Sequence, residues 1–411
     1  MFRNFLSLFL SFSAINIFNR LIPLITVPVL TNNLGLSSYG EYLVILSFTV
    51  LFDTFISFGF KTTAVIDLNF CKNKEEENNL FYRLFMSKLL LFIPSVFVLI
   101  FMLSFREIST LNSIIFCVSL LVGIALNQEW YFHGKGKMQS IVLINLSIRT
   151  LYLVIIYFFI RSPDDLSYAL IAYSLTIFLQ SGAGFIKAIL EFKIKIPKSI
   201  DFNLIIAQYR NNIYFFSATL SSYFYTSFNF IILDNFYSPA IIGVYGIADK
   251  LVNAIRDFSN SFQNAFLPTL AKRYTLNLEQ KNSLFLKYIG VVFILFSAIS
   301  CVVFIYSDYL FLFFNSDSVY INLGSRLIKI LILGLPVYVI IGSTSQLYLI
   351  QKQSKKLFWI ISIFAFSSVI TLTTSAYNFN IIVFGSFYVI LMTVLMSILL
   401  SNILLNNFES K

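Results

Sequence analysis

Twelve stretches of about twenty mostly apolar residues follow one another along the chain, each long enough to carry a helix across roughly 30 Å of hydrocarbon. They lie at about 6–30, 39–60, 82–105, 109–132, 138–160, 165–189, 211–233, 241–266, 284–306, 319–349, 356–376 and 380–405. A backbone immersed in lipid must satisfy its own hydrogen bonds, so runs of this kind read as helices. The chain is therefore expected to be an all-α polytopic membrane protein, with loops too short to hold a soluble domain. Composition agrees. Of 411 residues 58% are hydrophobic and 12% charged, with a mean hydropathy of +0.83. A soluble globular chain carries about 25% charged residues, and this one lacks the polar surface to cover such a fold. Its 48 Phe and 23 Tyr also exclude disordered, collagen-like and coiled-coil classes.

Charge placement gives the orientation. With an even number of spans both termini share a side. Placing them in the cytoplasm puts 21 of the 29 Lys and Arg there and leaves only Arg106 and Arg161 outside. The outer loops carry Glu107, Asp164, Asp165, Asp308 and Asp317 instead. The net charge of +10 is thus explained by topology, and no nucleic-acid partner is expected. Arg3 precedes an apolar run, but no small-x-small cleavage site follows, and Arg20 and Pro23 continue a helical pattern; the first stretch reads as an uncleaved helix. Gly134-Lys135-Gly136-Lys137 lacks the spacing of a phosphate loop, and Glu75-Glu76-Glu77 reads as a solvated loop face. Cys71, Cys117 and Cys301 are too scattered for a disulfide framework or a metal site. His133 is the lone histidine and meets no nucleophile pattern, so neither an enzyme nor a cofactor is expected.

Six basic residues, Arg20, Arg149, Lys250, Arg256, Arg326 and Lys329, fall inside the spans against three carboxylates, Asp53, Asp249 and Asp257. Each such charge costs on the order of 3 kcal/mol at the centre of a helix, so these groups are expected to face a polar cavity or one another. The excess of positive charge calls for an anionic ligand, water or lipid headgroups. Helical spacing groups the polar residues further. Asp249, Asn253, Arg256, Asn260 and Gln263 share one face of the eighth span; Ser13, Asn16 and Arg20 align in the first, Asn145 and Arg149 in the fifth, and Ser222, Tyr225 and Asn229 in the seventh. Hydrogen-bonded packing between helices is the plainer explanation for the neutral members of these seams. Snorkelling serves Arg326 and Lys329 as well as cavity lining does. Pro23, Pro28, Pro94 and Pro336 lie inside spans and mark kinks.

A shift of 203 residues superposes Leu30-x-Asn32 on Leu233-x-Asn235, Gly40-x-Tyr42 on Gly243-x-Tyr245 and Phe55 on Phe258. The offset pairs the first span with the seventh, as in parallel-repeat transporters. The expected organisation is a six-helix bundle over 1–190, a cytoplasmic linker over 191–210 and a second six-helix bundle over 211–411, the two surrounding a central cavity. In this register Asp53 falls on Arg256.

These residues resemble a known family. The segment from Arg20 to Gly40, with Pro23, Leu34, Gly35, Tyr39 and Gly40, looks like the first-helix region of polysaccharide flippases. Gln128-Glu129-Trp130-Tyr131-Phe132-His133-Gly134, followed by Lys137-Met138, resembles their Gln-Glu-Trp-Tyr-Phe-x-Gly stretch, and Gly243-Val244-Tyr245 matches the opening of their eighth helix. These flippases belong to the multidrug, oligosaccharidyl-lipid and polysaccharide exporter superfamily. The resemblance implies a multi-pass protein of the bacterial inner membrane that moves an undecaprenyl-pyrophosphate-linked O-antigen or related repeat unit between leaflets by alternating access. It also implies a polysaccharide polymerase and a chain-length regulator as partners. The chain departs from the family at Asn229, where an acidic residue often stands.

Combined with the cationic spans, the resemblance implies that Arg20, Arg149, Lys250 and Arg256 receive the pyrophosphate, which suits the two-pronged guanidinium. Asn16, Asn145, Tyr225, Asn229 and Asn253 are expected to contact sugars. Asp53, Asp249 and Asp257 are the candidate ion carriers, since no nucleotide-binding domain is seen. Two rival readings are a drug or cation antiporter of the same superfamily, which predicts a net-acidic cavity, and a membrane glycan polymerase, which predicts a long outer loop.

Overall fold

The computed structural model describes residues 2–106, 110–195, 201–276, 281–315, 317–351 and 353–409, with side chains described outside 2–23, 264–284, 403–409 and a few single positions. Every regular element among them is helical. The chain divides into two compact units, Met1–Tyr223 and Phe224–Lys411.

The first unit contains α1 (Phe2–Ser57), α2 (Phe60–Phe70), α3 (Lys74–Leu103), α4 (Thr110–Leu126), α5 (Glu129–Gly134), α6 (Met138–Phe159), α7 (Leu166–Phe192) and nearly all of α8 (Phe202–Tyr225). The first two expected spans form α1 together. A helix of 56 residues would be about 84 Å long as a straight rod, far beyond the hydrocarbon thickness. It is broken at Gly35, whose φ of 75° and ψ of 164° only glycine adopts readily. Leu34 and Tyr39 beside the break are buried. Helices α4 and α7 approach so closely that a Cβ on Gly123 would lie 2.8 Å from the backbone nitrogen of Phe178. Helix α8 is tied to this unit by polar bonds: Gln208 donates to Asp67, Tyr209 to the carbonyl of Ser87, and Thr63 to Asn212.

The second unit contains α9 (Asn229–Asp234), α10 (Pro239–Leu276), α11 (Lys281–Ile305), α12 (Ser307–Phe314), α13 (Ile321–Ile350), α14 (Ser354–Asn378) and α15 (Ile381–Glu409). Its centre is α13, which buries Leu327, Ile328, Leu331, Ile332, Leu335 and Val339 against its neighbours.

Among the described residues nine helical stretches are long and apolar enough to cross a membrane, the first of them running from Leu24 to Phe70. Helices α8 and α10 are long enough but are not among the nine. Within α10, Asp249, Lys250, Asn253, Arg256, Asp257 and Asn260 lower the apolarity, and four of these, Asp249, Asn253, Arg256 and Asn260, belong to the expected polar seam. The seventh and fourth expected spans are interrupted where sequence periodicity ran on. Residues 226–228 separate α8 from α9, and Asn127 and Gln128 separate α4 from α5. At the second break the Asn127 side chain accepts the backbone N–H of Glu129 at 3.1 Å and so caps the short helix that follows.

Bonds of the same kind occur in the two units. Asn32 donates to the carbonyl of Pro28 at 2.8 Å, and Asn235, 203 residues on, donates to the carbonyl of Ile231 at 2.8 Å. Asn33 reaches the carbonyl of Ile160, which caps α6, at 2.7 Å; Tyr237 reaches the carbonyl of Phe379, which caps α14, at 2.6 Å.

Candidate functional site

Two clusters of charge lie among the long helices, one in each unit. In the first unit a cavity of about 260 Å³ is lined by Asp53 and Thr49 of α1, Lys61 of α2, the Asn127–Glu129 turn, Arg149 of α6, and Tyr173 and Gln180 of α7. Its polar groups are arranged by local chain geometry. Helix α1 stops at Ser57, and Phe58 and Gly59 take left-handed conformations, with φ of 42° and 76°. That turn brings Lys61 back onto Asp53, at 2.6 and 2.9 Å from its two oxygens, while Ser57 donates to the same carboxylate. Asp53, expected as an intramembrane acid, is thus paired with a lysine that the loop census had placed in the cytoplasm.

The Gln-Glu-Trp-Tyr-Phe stretch divides its labour at the α4–α5 break. Gln128 and Glu129 line the cavity. Asn145 donates to Glu129 at 2.8 Å, and Gln180 donates to the backbone carbonyl of Asn145 at 3.3 Å. Arg149 feels the charge of Glu129 and lies near Tyr173. Trp130, Tyr131 and Phe132 turn the other way, into an apolar cluster with Phe60, Leu68, Leu80, Phe81 and Leu84 that closes this end of the unit. Tyr131 donates to Glu77 at 3.0 Å, and Glu77 also binds Lys74 at 2.9 Å and Lys135. Glu129 was missed as a cavity-lining carboxylate because it was read only as part of a motif.

Lys88 was missed as well. Counted as a loop residue, it lies fourteen residues into α3, is 0% exposed, and donates to the backbone carbonyl of Asn127. It feels the charges of Lys61, Asp53 and Glu129. The first unit therefore sets three cations, Lys61, Lys88 and Arg149, among two carboxylates, Asp53 and Glu129.

In the second unit the expected stripe on α10 is a chain of bonds. Asn253 donates to Asp249 at 2.7 Å, and Arg256 donates to Asn253 at 3.0 Å and to the hydroxyl of Tyr388 at 3.2 Å. The Arg256 guanidinium lies 4.9 Å from the ring centre of Tyr338 and 5.6 Å from that of Tyr388. The residue is 6% exposed. Further along, Asn260 donates to Tyr338 at 3.3 Å, and Ser343 donates to Gln263 at 3.2 Å. Lys250 is half-buried beside Asp249, while Asp257 points to an exposed face.

Of the other expected site residues, Asn229 is buried on α9 and Tyr225 stands edge-on to Phe364 with ring centres 5.7 Å apart. Arg326 is exposed, and Lys329 lies 3.8 Å from Asp308. The side chains of Asn16 and Arg20 lie outside the described residues.

Comparison with known proteins places this arrangement in a context. The family described as "Polysaccharide biosynthesis protein" matches residues 3–274. A protein of Shigella dysenteriae named "Putative O-antigen transporter" is 25% identical over 273 residues, covering 66% of this chain and 67% of that protein. A protein of the same name from Escherichia coli (strain K12) is 24% identical over 268 residues, and the match spans 63% of each chain. Among solved structures, the one titled "Lipid II flippase MurJ, inward closed conformation" superposes with a TM-score of 0.78 at 15% identity, covering 97% of this chain and 89% of that one. An inward-facing multidrug transporter of the MATE family and MOP superfamily superposes with a TM-score of 0.66 at 13% identity, covering 92% of each. At these identities the structural likenesses show a shared fold.

Proposed function

The chain belongs to the polysaccharide biosynthesis protein family, and on that footing we propose that it is a flippase that carries lipid-linked polysaccharide repeat units across a membrane. The named relatives are transporters rather than enzymes, and the fold shared with a lipid II flippase suits a large amphiphilic cargo. One observation carries the reading: around the cavity of the first unit the cations outnumber the carboxylates, and on α10 a buried arginine accompanies the acid. Lys61, Lys88 and Arg149 stand among Asp53 and Glu129, and Lys250 and Arg256 stand beside Asp249. An excess of positive charge of this kind is costly in hydrocarbon. It is compensated when a diphosphate enters, and a drug or cation antiporter would need the opposite sign.

In this reading the cargo is linked through undecaprenyl pyrophosphate. Arg149 and Lys250 meet the phosphates directly, with Arg20 joining them. Arg256, closed in by its tyrosines, contributes its field. Asn145, Asn229, Asn253, Asn16 and Tyr225 serve the glycan. Asp53 and Asp249, each already hydrogen-bonded, carry the coupling ion, and Asp257 has a weaker claim because it faces outward from its unit. The protein works in a bacterial inner membrane with both termini cytoplasmic, as the basic-residue census supports. A polymerase and a chain-length regulator consume its product.

The deciding experiment supplies the chain to cells that lack their own O-antigen flippase and assays surface glycan. Wild type is expected to restore it, and Arg149→Glu to abolish it at an unchanged membrane level. Full export by the Arg149→Glu variant would overturn the cationic pathway. Cysteine labelling from outside at Ser162, and its failure at Lys72, checks the orientation.

A further inference from the structure

The break between α4 and α5 opens a question that the cavity alone does not answer: why an ammonium group is spent on it. Where α4 stops at Leu126, the carbonyls of its last turn lose their helical partners. In a dry interior each unmet carbonyl is expensive. The Asn127 carbonyl is met by Lys88, reaching across from α3 with no exposure to solvent. The donor that spans this gap carries a full charge, which is costly to bury without a compensating role.

The other atoms of the turn are also held. The Asn127 side chain takes the N–H of Glu129, Gln128 accepts from the indole N–H of Trp130, and Glu129 accepts from Asn145. Lys88 supplies the link from α3. Its ammonium is faced by Lys61 from α2, Asp53 from α1 and Glu129 from α5, all three of which line the cavity.

We propose that Lys88 is a positioning residue: by holding the Asn127 carbonyl at the α4–α5 break, it fixes the turn that presents Gln128 and Glu129 to the cavity of the first unit. Lys88 does not itself line that cavity. Its charge adds to the field there, and its hydrogen bond sets where Gln128 and Glu129 stand. The inference rests on the cavity being part of the translocation path. Replacement by methionine removes the cost of a buried charge and leaves one carbonyl unmet. These changes oppose one another, so stability moves little while the turn loosens.

The test has one arm that needs no substrate and one that does. The chain contains two tryptophans, Trp130 on the turn and Trp359 on α14. In a Trp359→Phe background Trp130 reports on the turn alone. Lys88→Met is expected to shift its emission and lower its anisotropy, with the melting temperature within a few degrees of the parent. Lys88→Arg, which keeps a donor, is expected to restore the signal. In reconstituted vesicles carrying a lipid-linked oligosaccharide, Lys88→Met is expected to raise the apparent KM about tenfold. Because Lys88 acts through the turn, Lys88→Met and Glu129→Gln together are expected to cost less than the sum of their separate effects. Parental Trp130 fluorescence in Lys88→Met, or strictly additive losses, would overturn the proposal. Should Lys88→Met not accumulate, Lys88→Gln replaces it, its shorter amide leaving the Asn127 carbonyl out of reach. If wild type moves no lipid-linked oligosaccharide, the flippase reading falls, and the fluorescence still decides the role of Lys88.

Discussion

Arg149 in the first unit stands on the wall of a cavity with Glu129 and Tyr173 near it, whereas Arg256 in the second lies over two tyrosine rings and is bonded to Asn253 and Tyr388. Both lie on helices whose polar residues recur every three or four positions. The surroundings decide what each can do. Around Arg149 the polar partners come from four helices and a turn, and they leave a space. Around Arg256 aromatic faces and carboxamides close that space, so the guanidinium braces α10 against α13 and α15. Similar sequence spacing has produced a lining residue in one unit and a strut in the other.

This contrast can be broken by mutation, and the strut gives the largest effect. Arg256→Met leaves Asn253 and Tyr388 without their donor and Asp249 with Lys250 as its remaining nearby cation. It is expected to destabilise the protein by about 3–5 kcal/mol, read as a fall in melting temperature and in membrane level. Arg256→Lys is expected to recover little, because an ammonium cannot lie flat over two rings. If Arg256→Met retains wild-type stability, the strut is no strut. Arg149→Gln is expected to behave in the opposite sense, with stability nearly unchanged and transport down about tenfold, equivalent to roughly 1.4 kcal/mol in the barrier. A smaller effect separates the tyrosines. Tyr388→Phe removes one hydrogen bond to a charged group and is expected to cost about 1.5–3 kcal/mol, against about 1 kcal/mol for Tyr42→Phe, whose buried hydroxyl meets only that of Tyr152. The smallest change is Lys61→Gln. The Lys61 and Asp53 side chains are 48% and 37% exposed, so losing the pair is expected to cost no more than about 1 kcal/mol. Thermal melts of the six variants in one detergent would rank them.

Hydropathy made the helices legible, and helical periodicity correctly joined Asp249, Asn253 and Arg256 and brought Asn145 beside Arg149. What it concealed are features that depend on where a helix stops. Phe58 and Gly59 carry no apolarity signal, yet their left-handed turn returns Lys61 to Asp53. Asn127 and Gln128 look like two polar residues near a helix end, and the break they make turns Glu129 toward the cavity while Trp130 turns away. Lys88 looks like a loop cation because it follows a polar stretch, and only the packing of α3 beside that break shows it to be enclosed. A window average cannot distinguish a lysine near a membrane surface from one sealed beneath it.

The ties made by Asn33 and Tyr237 show that different side chains can fasten a chain in the same way. Each ends on a main-chain oxygen at the close of a helix, and that oxygen is present whatever amino acid occupies the position. Only the reach of the donor has to be maintained, so a carboxamide in one unit and a phenol in the other each fasten the close of a helix. Likeness within such chains is therefore better sought in which backbone atoms are grasped than in which letters recur.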